Sequence, residues 1–188
     1  VKDIKKTSDQ GFIMVGITHI ITGGMTDILV IKTDSLGVEE WRYCYGNEEM
    51  EGATSVVQDY DNSYLITGSR VYSSLGTDDL LLIKLDGRGN FLWDYLYGNN
   101  HSFEAGRSII LSTDNCYIIA GRGTDELSQS FDMLIMKMGY ETAYKNQTVP
   151  GLKSALISNY PNPFNPSTTI SFSLTTKNTE NTELVIYN

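Results

Sequence analysis

Short apolar runs recur in register along this chain, and the runs that carry Trp place aromatic residues at every second position. "GFIMVG" at 11–16 returns as "SYLITG" at 63–68 and "CYIIAG" at 116–121. "DILVIKTD" at 27–34 returns as "DLLLIKLD" at 79–86 and "DMLIMKM" at 132–138, and "EWRYCYG" at 40–46 returns as "LWDYLYG" at 92–98. Gly16, Gly68 and Gly121 lie 52 and 53 residues apart, as do Lys32, Lys84 and Lys137. A register held this closely marks a structural repeat.

The repeat offers four short strand candidates. The first is "KDIKKTS" (2–8), "TSVVQDY" (54–60) or "RSIILST" (107–113), followed by a turn rich in Asp and Asn. The second ends at the repeated glycine. The third is apolar at nearly every position, as strands are when both faces are covered. The fourth alternates Trp41, Tyr43 and Tyr45 with Arg42 and Cys44, and Trp93, Tyr95 and Tyr97 with Asp94 and Leu96. No segment carries a helical period.

A lone four-stranded sheet cannot bury two apolar faces, whereas sheets stacked around an axis can. The order Gly-Tyr-Ile-x-x-Gly, Asp-x-x-x-Ile-Lys-x-Asp, Gly-x-x-x-Trp-x-x-x-Tyr-Gly resembles bacterial extracellular β-propeller repeats over residues 1–138. Quinoprotein-type propellers are the second resemblance, without their cofactor-binding residues. The fold expected is all-β: a partial β-propeller of about three four-stranded antiparallel blades, then the first strands of an Ig-like β-sandwich. Only two units supply a Trp-bearing fourth strand, so the third blade is expected to lack its own, with a donor upstream of Val1. The chain reads as an excerpt of a longer protein.

Residues 139–158 read as a linker around Pro150-Gly151. Pro161, Pro163 and Pro166 then fix φ and remove donors, so Tyr160 to Pro166 is expected outside any sheet. Strands are expected at 168–174, where Ile170, Phe172 and Leu174 alternate with polar residues, and at 182–188. Tyr160-Pro161-Asn162-Pro163-Phe164-Asn165-Pro166, followed by Thr168, Thr169 and Ile170, closely resembles the start of the type IX secretion C-terminal sorting domain. That domain is an immunoglobulin-like sandwich related to one in flagellar hook-capping proteins. The resemblance implies a truncated sorting domain over 159–188, recognition by the type IX machinery, and release outside the cell or attachment at the outer-membrane surface.

Composition narrows the chemistry. The net charge of −9, with no basic stripe, argues against nucleic acid. No apolar run is long enough for a transmembrane helix. Cys44 and Cys116 occupy non-equivalent repeat positions and define no redox compartment. Phosphate loops, zinc spacings and nucleophile elbows are missing from the sequence, so no catalytic, cofactor-binding or metal residue is assigned. Calcium is weighed for the recurrent Asp27, Asp79 and Asp132 and for Asp34 and Asp86, with turn chemistry preferred. The repeated lysines are expected to snorkel or pair with Asp, and Trp41 and Trp93 to be largely buried between sheets.

Loops after the second and fourth strands are longer and more varied, and variable loops on a constant scaffold are where binding resides. The candidate binding face comprises His19, Arg70, Tyr72, Asn99, His101, Glu126 and Gln129. The reading is a secreted or cell-surface binding or structural module with an extracellular protein or glycan ligand. The alternative is an exported polysaccharide-degrading or other hydrolytic enzyme whose catalytic residues lie outside this fragment.

Overall fold

The computed structural model describes residues 1–19, 26–72, 74–98, 101–114, 116–124 and 131–139, and the backbone of 155–156, 158–160 and 169–171. All regular structure among them is β. Three four-stranded antiparallel sheets follow one another along the chain. The first holds β1 (Asp3–Lys6), β2 (Phe12–Thr18), β3 (Asp27–Thr33) and β4 (Glu39–Tyr45). The second holds β5 (Met50–Gln58), β6 (Tyr64–Tyr72), β7 (Thr77–Leu85) and β8 (Phe91–Tyr97). The third holds β9 (Ala105–Leu111), β10 (Cys116–Thr124), β11 (Phe131–Gly139) and β12 (Ala155–Leu156). Within each sheet the strands pair in chain order, as a meander. A two-stranded sheet pairs β13 (Ser158–Tyr160) with β14 (Thr169–Ser171).

The sheets pack face to face. One apolar cluster joins Ile13, Val15, Ile28 and Val30 of the first sheet to Val56, Ile66, Leu81 and Ile83 of the second. Another joins Leu65, Leu80 and Leu82 of the second to Ile109, Ile119, Leu134 and Met136 of the third. Successive side chains of β7 therefore enter different cores: Leu81, Ile83 and Leu85 one way, Leu80 and Leu82 the other. That is why its sequence is apolar without alternation.

The repeated glycines have a steric cause. Opposite Gly68 the β5–β6 register shifts between Ala53 and Ser55, and opposite Gly121 the β9–β10 register shifts beside Gly106. Each bulge brings a carbonyl against the glycine Cα, where a side chain has no room.

Asp34 and Asp86 serve as turn residues. Asp34 accepts from the Leu36 and Val38 amides, and Asp86 from those of Arg88 and Asn90. Both cysteines are free.

Several expectations require correction. The fourth position of the third sheet is filled by β12, from within the expected linker, which pairs with Leu134 and Ile135. Tyr160 lies in a sheet, opposite Thr169. The residue before a proline favours extended backbone, so the proline exclusion begins at Pro161. Ser158–Tyr160 pairs with β14; the strand expected at 182–188 falls outside the described residues, as do 161–168 and the rest of 172–188. The second sheet's first strand begins at Met50, four residues before the expected Thr54, because the Glu51 amide is held by the Thr26 carbonyl at 2.8 Å.

Trp41 and Trp93 do occupy matched sites, paired with Lys32 and Lys84 respectively. They are half-buried rather than largely buried, each lying over the edge of a core. Trp41 meets Tyr64 of the next sheet edge to face at 6.1 Å between centroids. Trp93→Ala is accordingly expected to cost about 2 kcal/mol in urea unfolding, below the fully buried range. A loss under about 0.5 kcal/mol would show that the ring packs on nothing.

Candidate functional site

Antiparallel meanders sort their connections by end. Turns after first and third strands lie at one end, and loops after second and fourth strands at the other. Neighbouring sheets keep these ends aligned. At the turn end, the Ser8 amide donates to Gln58 Oε1 at 2.7 Å and the Ser8 hydroxyl bonds Asn62 Oδ1 at 2.8 Å. At the loop end, the Glu51 amide donates to the Thr26 carbonyl, and the Glu104 amide to that of Asp78 at 2.7 Å.

The loop end carries buried acids, of which Glu51, Asp78 and Glu104 went unnoticed in the sequence. Asp27 and Glu51 are buried at the first junction, and Asp78 and Glu104 at the second. Gly46 closes the first: a Cβ there would stand 2.0 Å from Asp27 Oδ1 and 3.0 Å from Glu51 Oε2. Gly98 closes the second, at 2.2 Å from Asp79 Oδ1 and 2.7 Å from Glu104 Oε2. The signal was present in "EGA" at 51–53 and "EAG" at 104–106, matched in position but set in loops that differ around them.

Arginines from the second strands answer these acids. Arg70 Nε donates to Glu51 Oε1 at 2.8 Å, and its Nη2 reaches Asp94 Oδ2 at 3.4 Å. Arg122 Nη2 donates to Asp78 Oδ2 at 2.8 Å and lies over the Phe131 ring at 4.7 Å. Burial pushes the Glu51 carboxyl above its usual range, against the Arg70 hydrogen bond that draws it down. Burial likewise raises Asp79, with Tyr72 opposing as donor. Among the described residues, Thr77 Oγ1, Asp78 Oδ1, Asp79 Oδ1 and Arg122 Nε are buried without a hydrogen-bond partner.

A cleft of about 400 Å³ runs from the loop end along β8. Tyr45, Asn47, Glu51, Arg70, Asp94 and Phe91 line it. Phe91 is exposed, and the guanidinium between two carboxylates presents a fixed polar wall. An open ring beside such a wall suits a ligand with one apolar face and several hydroxyls or amides.

The expected binding residues separate on this geometry. Arg70 and Tyr72 belong to the end of β6, not to a loop; Arg70 bonds Glu51 and Tyr72 bonds Asp79. Arg70 lines the cleft, whereas His19 and His101 stand exposed on loops away from its lining. Asn99, Glu126 and Gln129 lie outside the described residues, as do sorting-motif residues Pro161, Asn162, Pro163, Phe164, Asn165 and Pro166. Among the described residues, no three His, Cys, Asp or Glu side chains are grouped to hold a metal ion.

The turn end holds the repeated lysines. Lys32 Nζ donates to Asp9 Oδ2 at 2.7 Å and Glu40 Oε2 at 2.8 Å, Lys84 bonds Asp59, and Lys137 bonds Asp114. The Lys32 hydrogen bond, assisted by Thr7, holds the Asp9 carboxyl down at about 2. A depressed carboxyl stabilises the fold above its unfolded value, and that contribution is lost as pH falls through its folded value. Wild type is therefore expected to lose more stability than Asp9→Asn between pH 3.8 and about 2. Urea midpoints across that window check it, and parallel slopes would contradict it. Asp9 is half exposed, which keeps the difference modest.

No protein-family model matches the chain, and no curated protein matches it as a relative.

Proposed function

We propose that this chain is a secreted or cell-surface binding and structural module, a partial β-propeller carrying the start of a type IX sorting domain. Three observations support the reading. Four-stranded meanders of one repeat stack in series, with the middle sheet covered on both faces. The varied loops gather at one end. The proline-rich stretch from Tyr160 to Pro166 has the wording of the sorting signal.

The cleft carries the functional part. Phe91 offers a face for a sugar ring or a peptide side chain, and Arg70, Asp94 and Asn47 offer donors and acceptors beside it. An extracellular glycan fits that chemistry, and the ligand is held by stacking plus directed hydrogen bonds rather than by net charge. The test is titration of the full chain with a panel of neutral and acidic oligosaccharides. A binder in the panel should lose about tenfold or more in affinity with Phe91→Ala, while the unfolding midpoint is unchanged. No binder, or one indifferent to Phe91, would overturn the glycan reading.

Export is tested separately. The sorting domain, restored to its full reading frame and fused to an inert periplasmic reporter in a type IX-competent host, should carry the reporter outside the cell. Retention in the periplasm, with a proven cargo exported in parallel, would sink that assignment.

A further inference from the structure

Repetition separates what the fold needs from what one junction alone carries. In the cleft, Tyr45 and Gly46 return one unit later as Tyr97 and Gly98, and Glu51 returns as Glu104. These serve the scaffold: each glycine lets carboxylates close on it, and each glutamate amide ties neighbouring sheets. Three lining residues break the pattern. Arg70 stands opposite Asp79, where Thr18 stands opposite Asp27 and Gly123 opposite Asp132. Asp94 stands opposite Ile83, where Arg42 stands opposite Ile31. Phe91 stands opposite Leu85, where Glu39 stands opposite Thr33. An arginine, an aspartate and an exposed ring thus gather at one junction, on positions that the repeat fills otherwise. Variation of this kind on a constant scaffold is how binding sites arise.

The charge of the cleft is lopsided. Among the described residues that line it, Arg70 is the one cation, and it is already engaged by Glu51 and Asp94. The Arg70 side chain is 15% exposed against 41% for Asp94, so a ligand meets the carboxylate first. Glu48 and Glu49 lie between the lining residues Asn47 and Glu51, and Asp27 is buried behind Gly46. Cations on the flanking elements are matched: Arg42 on β4 forks onto Glu39, and Arg88 in the turn before β8 is balanced by Asp86. One guanidinium therefore answers Asp27, Glu48, Glu49, Glu51 and Asp94.

We propose that the cleft takes uncharged sugar rings and refuses acidic ones, with Asp94 as the residue that sets the choice. The inference rests on the glycan reading above and names the class of glycan. Attraction comes from the Phe91 face and from the Arg70–Asp94 pair, a donor and an acceptor 3.4 Å apart. Two neighbouring hydroxyls of one ring can meet that pair, one accepting from Arg70 while the other donates to Asp94. A uronate carboxylate can only accept. Seated there it would lose the bond to Asp94 and bring like charges together in a cleft partly shielded from water, where they repel more strongly than in bulk solvent. Specificity then comes from repulsion of the wrong ligand as much as from contacts to the right one.

Isothermal titration calorimetry on the full chain is the measurement. Each neutral oligosaccharide of the panel is paired with the same molecule oxidised at C6 to the uronate. At low salt, a neutral binder that depends on Phe91 should bind about tenfold or more tightly than its uronate partner. High salt should shrink that ratio in the wild type by screening the repulsion. Asp94→Asn should bring it to about threefold or less, whatever it does to the affinity for the neutral sugar, because an amide both donates and accepts. A uronate that binds as well as its neutral partner, or a ratio that high salt or Asp94→Asn leaves unchanged, would overturn this inference and leave the glycan reading standing. No binder among the neutral sugars would overturn both.

Discussion

Lys84→Met is expected to destabilise the fold by about 3–5 kcal/mol, the cost of leaving a buried carboxylate without its cation. Asp59, which Lys84 bonds, is fully buried, and Tyr117 from the next sheet donates its hydroxyl to the same carboxylate. Lys84 also donates to the Tyr117 oxygen at 2.8 Å and sits over its ring at 5.1 Å. One ammonium thus ties a turn of the second sheet to a strand of the third. The same substitution at Lys137 should cost only about 0–1 kcal/mol, since that pair is solvated. Adding Asp59→Asn to Lys84→Met should recover part of the loss, because the stranded charge is then gone. Urea unfolding of these variants checks the set, and equal costs at Lys84 and Lys137 would contradict it.

Gly68→Ala is expected to be nearly as damaging, at about 3 kcal/mol. A methyl group there would stand 1.9 Å from the Gly52 carbonyl oxygen and 3.0 Å from the Ala53 Cα. Both are backbone atoms of β5, held in the β5–β6 ladder, so neither can swing aside as a side chain would. Gly121 meets the Ala105 carbonyl oxygen at 2.1 Å in the same way, and Gly121→Ala should behave alike. Gly76 is the control. Its φ of +71° favours glycine, but it faces open space, and Gly76→Asn should cost under about 1 kcal/mol. A tolerated alanine at Gly68 would show that the bulge relaxes and that the repeated glycine has another cause.

Much of this architecture was legible because repetition multiplies a weak signal. One run such as "DLLLIKLD" could be a buried helix segment or a strand. Its recurrence every 52 or 53 residues, with a Trp-bearing partner, leaves only stacked small sheets. The Lys–Asp pairing was readable for the same reason. Less legible were features whose partners lie on another sheet. Glu51 and Glu104 look like loop residues until the Thr26 and Asp78 carbonyls are placed beside them. Arg70 and Tyr72 were expected in a loop because "RVY" precedes a serine- and glycine-containing stretch, yet β6 continues through them to pair with β7. Phe91 drew no notice, since one exposed aromatic gains meaning only beside Arg70 and Asp94. The strand Ala155–Leu156 is two residues long, too short for any period to announce it.

The central claim is serial stacking, in which the second sheet separates two cores. Methyl–methyl nuclear Overhauser effects in an Ile, Leu and Val labelled sample measure this most directly. Val30 should show cross-peaks to Ile66 or Ile83, and Leu82 to Ile109 or Ile119, as members of two distinct clusters. No cross-peaks are expected between Ile13, Val15 or Val30 and Ile109 or Ile119, because the second sheet lies between them. Direct contacts linking those first-sheet and third-sheet methyls into one cluster would contradict the stack.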